Sequence, residues 1–310
     1  MPKNTMKVIR IHDYGGPEQL VLEQASVPQI PSDQVLIHLK AAGVNPADWK
    51  YRSGAYKQFM PLTFPWIPGL EGAGIVEAAG ADVKAFKKGD EVYGLVSGAY
   101  AEYALAKTNE IFPKPAGLTF EEAASIPIGA LTAWGAVIAT AKVEAGQRVL
   151  VHGAAGGVGL YAVQLAHWKG AHVTGTASAS NLEFVRSLGA EQVIDYQATR
   201  FETVLHDMDV VIDTVGGNLA EGSFQVLRPG GVYVTVAGRL AEDAGKAQNV
   251  KALSAGRFSA ENLKKISELI ESKQLKAVVG KVFPLGETAK AHELSQTGHG
   301  RGRIILRMGD

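Results

Sequence analysis

The run VLVHGAAGGVG at residues 149–159 decides how this chain is read. A valine-rich strand pattern stops at His152, glycines follow, and LYAVQLAHWKG at 160–170 continues with a helical pattern. Glycines between a strand and a helix start let backbone approach a pyrophosphate, and the N–H groups of the first helical turn bind it. Two registers fit. Ala154-x-Gly156-x-x-Gly159 is a G-x-G-x-x-G whose first glycine is replaced, and Gly153-x-x-x-Gly157-x-Gly159 is a G-x-x-x-G-x-G. Either predicts a dinucleotide loop with its contacts at Ala155, Gly156, Gly157 and Val158. The plain alternative is a tight turn with close helix–strand packing and no ligand.

Reading outward from the loop separates the alternatives. HVTGT (172–176), QVIDY (192–196), MDVVIDTVG (208–216) and GGVYVTVAG (230–238) read as further strands, with helical stretches between them. Such alternation predicts a parallel sheet buried on both faces, joined by right-handed crossovers. A glycine motif inside that context is a strong signal. Before residue 120 the texture differs: short strand patterns punctuated by Gly and Pro, with no long helical period until Thr119 caps LTFEEAASI. After the sheet, SAENLKKISELIESKQL (259–275) predicts a helix capped by Ser259, with Leu263, Ile266, Leu269 and Ile270 on one face. A strand (276–285), a helix (287–295) and the strand GRIILRM (302–308) close the chain.

Composition narrows the function. The 310 residues carry 31 Lys and Arg against 31 Asp and Glu, which argues against nucleic acid or an anionic membrane surface as partner. No cysteine is present, so disulfides and thiolate metal sites are excluded and a reducing, cytoplasmic location is expected. The uncharged run AASIPIGALTAWGAVIATA (123–141) predicts a helix buried between domains rather than a membrane span.

The second strand ends as GTASASN (175–181), without the carboxylate that usually holds the two ribose hydroxyls of NAD. Ser178 and Ser180, with Tyr196 after the third strand, offer hydroxyls to a 2′-phosphate instead. NADPH (NADP+) is therefore the expected cofactor, the alternative being that the serines only cap a turn. Tyr103-Ala-Leu-Ala-Lys107 matches the Tyr-x-x-x-Lys of short-chain dehydrogenases. It precedes the glycine loop and reads as strand, so it is taken as coincidence.

Along nearly its whole length the chain resembles the medium-chain dehydrogenase/reductase superfamily, in its quinone oxidoreductase (zeta-crystallin-like) branch. The resemblance rests on YGGPEQLVLE, AAGVNPADWKYRSGAY, PGLEGAGIVEAAG, KKGDEVYG, AAGGVG, SLGAEQVIDY and GHGRGRIILRM, in that order. It implies an α/β protein with a GroES-like β-rich catalytic domain, residues 1–124 and 272–310, and a Rossmann doubly wound domain, residues 125–271. Zinc-dependent relatives carry Cys where this chain has Asn45, and His-Glu where it has Leu70-Glu71. Leu70 cannot ligate, so no zinc is expected.

The resemblance also implies the site. Asn45 and Tyr51 are expected in the cleft beside the nicotinamide. Asn45 would hold cofactor ribose or carboxamide, and Tyr51 would orient the acceptor or donate to its oxygen, with Tyr56 a weaker candidate. Thr132 is expected near the nicotinamide ribose and phosphate, with the backbone of Val236, Ala237 and Gly238 at the nicotinamide amide. Arg301 and Arg303 either reach cofactor phosphate or flank the last strand. Trp66 and Phe64 either line the acceptor pocket or pack in the core. The expected activity is hydride transfer to small electrophilic acceptors, quinones or α,β-unsaturated carbonyl compounds. Enoyl-thioester reduction, or a non-enzymatic structural or nucleic-acid-binding role, are the alternatives. A homodimer through an edge strand near residues 250–253 is also expected.

Overall fold

The computed structural model describes residues 4–238, 240–256 and 259–309. The chain divides into two compact units, one of Met1–Ile128, Leu263–Glu271 and Lys276–Asp310, the other of Gly129–Asn262 and Ser272–Leu275.

The first unit is organised by the long strand Gln34–Val44. Its alternating apolar residues, Val35, Ile37 and Leu39 among them, are fully buried. It pairs antiparallel with Glu71–Ala79, Tyr103–Lys107 and Arg303–Arg307. Val279–Pro284 lies outside Arg303–Arg307, and Glu91–Leu95 then Ile111–Pro113 extend the other side of a seven-stranded sheet. A separate antiparallel pair, Thr5–Arg10 with Val21–Ser26, covers one flank. The C-terminal strands thus return to the N-terminal sheet.

The second unit is a six-stranded sheet whose every pairing is parallel. In space its strands run Gln192–Asp195, His172–Ala177, Arg148–His152, Met208–Asp213, Leu227–Thr235 and Lys251–Ser254. That order, 3-2-1-4-5-6, is the doubly wound dinucleotide arrangement, with its switch point at the strand that feeds the glycine loop. Lys251–Ser254 is one of the two edge strands, and its Leu253 is exposed.

Three sequence expectations are corrected. Residues 123–141 are not one helix. Phe120–Ala124 ends, Pro127 restarts the chain as Pro127–Trp134, and a π-helical turn, Gly135–Thr140, follows. Proline supplies no N–H and its ring clashes with the carbonyl four residues back, so it can open a helix but not sit inside one. No helix among the described residues is long and apolar enough to cross a membrane. A helix also appears where only strand and turn were expected, Pro46–Arg52. Finally, the amphipathic helix Asn262–Glu271 starts after Ser259, whose hydroxyl accepts from Glu261 N–H in the turn before it. Expected within the second domain, its residues Leu263–Glu271 lie in the first unit. Tyr93 OH bonds Ser267 Oγ at 2.7 Å and the Leu263 carbonyl at 3.3 Å.

Candidate active site

In the first unit, three strand ends converge on a buried polar cluster. Asn45 ends the central strand and opens helix Pro46–Arg52, with Pro46 at the position where proline is tolerated. Glu71 begins the neighbouring strand, and Arg303 begins the C-terminal one; register places Ala42 opposite Gly72 and Val44 opposite Ile304. Asn45 Nδ2 donates to Glu71 Oε1 at 2.8 Å, and Arg303 Nη2 donates to both Asn45 Oδ1, at 2.8 Å, and Glu71 Oε1. Glu71 Oε2 accepts the N–H of Ile128 at 2.7 Å. Relative exposures of Asn45, Glu71 and Arg303 are 1%, 0% and 3%. The carboxylate fits there because Gly43 has no side chain: a Cβ on it would lie 2.1 Å from Glu71 Oε1.

Both ends of the Asn45 amide therefore face protein. These two bonds tie Asn45 into the cluster and use one of its two Nδ2 hydrogens and one of its two Oδ1 lone pairs. Arg303, left open between two readings in the sequence, is an internal counter-ion to Glu71.

Nearly two turns along the same helix, Tyr51 stands in an aromatic group. Its ring meets Tyr56 edge-on at 5.2 Å between centroids and Trp66 at 5.8 Å, and its hydroxyl donates to Met60 Sδ at 3.3 Å. Burial, then the neighbouring Tyr56 and Asp48, push the Tyr51 phenol above its ordinary value. Phe64 packs edge-on against Tyr14. Tyr51, Tyr56 and Trp66 are thus brought together, apart from the direct hydrogen bonds of Asn45.

Beneath this helix runs a second buried chain. Asn45 N–H and Tyr100 O–H both donate to Asp48 Oδ2, at 2.8 and 3.0 Å. With Tyr100's hydrogen so used, His292 Nε2, 3.2 Å away, is the donor to Tyr100 oxygen. Burial pushes the Asp48 carboxyl up to about 7, although Asn45 and Tyr100 pull it down. Burial, with Arg52 adding to it, pushes His292 down to about 3. Tyr103 and Lys107 lie on the strand Tyr103–Lys107. At about 3.3 Å per residue they stand about 13 Å apart, too far to act as a catalytic pair.

In the second unit, the expected cofactor residues gather at the carboxyl edge of the sheet, where ligands of such folds bind. Gly153 leaves the strand with φ of +66°, a conformation that glycine alone adopts without strain. Gly156 N–H returns to the Gly153 carbonyl at 2.9 Å, and Gly159 passes so close that a Cβ on it would lie 2.1 Å from Gly153 O. Helix Gly159–Trp168 begins directly against that turn. Among the described hydrogen bonds, the N–H groups of Ala155, Gly157 and Val158 have no protein acceptor. Donors left free at a helix start fit a phosphate. Next to the loop, Ser178 accepts from Asn181 Nδ2 and lies 3.4 Å from Ser180 Oγ. Tyr196 N–H bonds the Ala177 carbonyl, which places that half-exposed tyrosine beside the serines. Thr132 is half-buried on helix Pro127–Trp134.

The far side of the switch point is held by Asp213, which the sequence reading did not single out. Its Oδ1 accepts Val215 and Gly216 N–H at 2.9 Å each, and its Oδ2 accepts the Tyr233 hydroxyl. Val236 N–H is taken by the Asp213 carbonyl, and Ala237 exchanges hydrogen bonds with Thr235 Oγ1. Val236 and Ala237 N–H are therefore spent within the protein, and among the described hydrogen bonds the Val236 carbonyl and Gly238 have no protein partner.

His152 was also missed, hidden inside a strand pattern. Ser223 Oγ donates its one hydrogen to the Leu219 carbonyl at 2.7 Å. His152 Nε2, 3.1 Å from that oxygen, is therefore the donor, and Nδ1 is the acceptor for Thr176 Oγ1 at 3.3 Å. Thr176 in turn accepts Gly153 N–H at 3.2 Å, so the neutral imidazole braces the start of the glycine loop. Burial holds its pKa down at about 4, opposed by the charges of Asp213 and Glu202.

These shifts predict an acid-labile fold. The unfolded chain protonates His152 and His292 near 6.5, whereas the folded chain refuses both protons until about 4 and 3. Their contribution is complete above 6.5 and is lost as pH falls through that window. Asp48 acts oppositely: the fold holds its proton up to about 7 against 3.8 unfolded, so its contribution fades as pH rises. Two protons outweigh one, and urea midpoints should fall on acidification from about pH 6.5 to 4. His292→Gln should flatten that slope; an equal slope in the variant would refute the assignment.

A metal does not fit this site. Leu70 has no donor atom, and Glu71 spends both oxygens on Arg303, Asn45 and Ile128. No three His, Cys, Asp or Glu side chains among the described residues gather as a metal-binding group.

A β-rich unit that reclaims the C-terminus, carried in one chain with a doubly wound sheet and its glycine loop, is the two-domain plan of dehydrogenases. The alcohol dehydrogenase GroES-like domain matches residues 31–116, and the zinc-binding dehydrogenase family matches residues 188–306. The chain is 36% identical to the quinone oxidoreductase of Mus musculus, over 97% of each protein. It is 36% identical to the chloroplastic NADPH-dependent alkenal/one oxidoreductase of Arabidopsis thaliana, over 99% of this chain and 80% of that one. The solved quinone oxidoreductase from Coxiella burnetii matches with a TM-score of 0.89 at 35% identity, over 98% of this chain and 99% of that one. The protein belongs to the medium-chain dehydrogenase/reductase superfamily, in its quinone oxidoreductase branch.

Proposed function

We propose that this protein is a zinc-independent, NADPH-dependent reductase of quinones or α,β-unsaturated carbonyl compounds. The observation that carries the reading is the neutral cluster Asn45–Glu71–Arg303 beside Leu70; by the resemblance, Asn45 and Leu70-Glu71 stand where zinc-dependent relatives carry Cys and His-Glu. Without a Lewis acid the acceptor must already be electrophilic at carbon, as enones and quinones are. The relatives named for quinone and alkenal/one reduction support the same acceptor classes.

When bound, the nicotinamide supplies the hydride. The chain's own residues do the rest. Ala155, Gly156, Gly157 and Val158 bind the pyrophosphate, the three unpaired N–H groups among them donating to it. Ser178, Ser180 and Tyr196 recognise the 2′-phosphate. Thr132, Val236, Ala237 and Gly238 form the nicotinamide end, with the Val236 carbonyl and Gly238 the groups still free to bond. Asn45 keeps helix Pro46–Arg52 in place from within the cluster. Hydride addition to the β-carbon of an enone develops charge on its oxygen, and Tyr51 donates its hydroxyl hydrogen there. Association into a homodimer across the free edge of Lys251–Ser254 is part of this proposal. A monomer by light scattering would refute that part.

The test is NADPH consumption by chelator-treated protein with a simple enone and a simple quinone side by side, products identified. Turnover that survives chelation is expected. Tyr51→Phe should lower kcat for the enone by about a hundredfold, in the range of lost general-acid catalysis, with the KM for NADPH retained. Activity lost on chelation would sink the zinc-independent reading, and an unimpaired Tyr51→Phe enzyme would remove Tyr51 from its role.

A further inference from the structure

The chain has five methionines and no cysteine. Of the described methionines, Met6, Met208 and Met308 are buried, and Met60 alone is exposed, at 54%. It is not a dangling side chain. Its N–H is anchored to the Tyr56 carbonyl at 2.8 Å, and its sulfur accepts the hydroxyl of Tyr51 at 3.3 Å. The accessible thioether is thus bonded to the hydroxyl proposed to serve the acceptor.

A thioether is a weak acceptor, so it steers the Tyr51 hydrogen without holding it. Oxidation changes that. Methionine sulfoxide is polar, and its oxygen is a strong acceptor that would keep the phenol's hydrogen for itself. We propose that Met60 is a reversible oxidation site through which hydroperoxides throttle the enzyme by way of Tyr51. The inference rests on the reading of Tyr51 given under the proposed function. The step balances with a hydroperoxide as oxidant. The sulfur gives two electrons to the O–O bond, which breaks; one oxygen forms the S–O bond and the other leaves as water or alcohol. The proposed reaction offers a local source: a hydroquinone product reoxidised by dioxygen returns quinone and hydrogen peroxide. Turnover on a redox-cycling quinone would then restrain itself.

The experiment exposes the full-length protein to limiting hydrogen peroxide, locates the added oxygen by peptide mass spectrometry, and assays enone reduction, which makes no peroxide. Oxygen should appear at Met60 before Met6, Met208 or Met308. Enone kcat should fall at least about tenfold, towards the roughly hundredfold loss of a missing general acid, with the KM for NADPH unchanged. A methionine sulfoxide reductase should restore it. Whatever rate Met60→Leu sustains, peroxide should leave it unaltered, and the residual rate of Tyr51→Phe should be equally insensitive. Oxidation of a buried methionine first, full activity with Met60 oxidised, or peroxide sensitivity persisting in Met60→Leu would each overturn the inference. Its failure is separable from that of the functional reading. A slow Tyr51→Phe enzyme beside an oxidised but fully active wild type sinks only the oxidation switch, whereas an unimpaired Tyr51→Phe enzyme sinks the role of Tyr51 itself.

Discussion

Replacing Arg303 by methionine is expected to remove about 3–5 kcal/mol of folding stability, the usual cost of stranding one half of a buried ion pair. Glu71 is fully buried and would keep only Asn45 and the Ile128 N–H as donors. Asn45 Oδ1 would lose its partner in the same step. The pair need not be a large net source of stability, since desolvation offsets much of its attraction. What is costly is the uncompensated charge. Adding Glu71→Gln to Arg303→Met should therefore recover a substantial part of the loss. Urea unfolding of the single and double variants measures both terms. A single variant within about 0.5 kcal/mol of wild type, the range of an ordinary surface change, would show that the cluster does not hold these three strands.

That cluster also marks the limit of what the sequence could reveal. Asn45 and Glu71 are 26 residues apart, and Arg303 lies 232 and 258 residues from its two partners. No local pattern links them. They meet because register brings the first residues of two strands against the end of a third, and the space exists because Gly43 has no side chain. The glycine loop, in contrast, was legible at once, since strand, turn and helix start are contiguous and the steric demand on Gly153 and Gly159 is local. The parallel strands were legible for the same reason, each being a short Val- and Ile-rich run bounded by turn residues. Helix Pro46–Arg52 escaped because seven residues span only two turns, too few for a period to show; Asn45, Pro46 and Asp48 in sequence were the available signal. His152 and Asp213 escaped because a strand buried on both faces looks alike whether its polar residue is idle or bracing a loop. Only the partners Thr176, Ser223 and Tyr233 distinguish the two.

Gly159→Ala should abolish tight NADPH binding while leaving the first unit folded. Intrinsic propensity favours the change, since alanine is better than glycine inside a helix by about 1 kcal/mol. Packing opposes it decisively. The added Cβ would stand 2.1 Å from Gly153 O, 2.8 Å from the carbonyl carbon and 3.0 Å from Ala154 Cα, all of them backbone atoms with no rotamer to yield. Helix Gly159–Trp168 would have to draw back from the strand end, carrying Val158 with it and pulling its N–H, with that of Gly157, off the phosphate. Hydrogen bonds to a charged group are each worth about 1.5–3 kcal/mol, so losing two weakens affinity by more than about a hundredfold. Gly156→Ala is the graded comparison, because its Cβ would meet Gly153 O at 3.2 Å, a contact that a small shift relieves. Cofactor titration followed by fluorescence, with thermal unfolding in the presence and absence of NADPH, separates lost binding from lost folding. Wild-type affinity in Gly159→Ala would mean that the helix start does not hold the phosphate. A loss in Gly156→Ala as severe as in Gly159→Ala would mean that the steric argument from Gly153 is wrong.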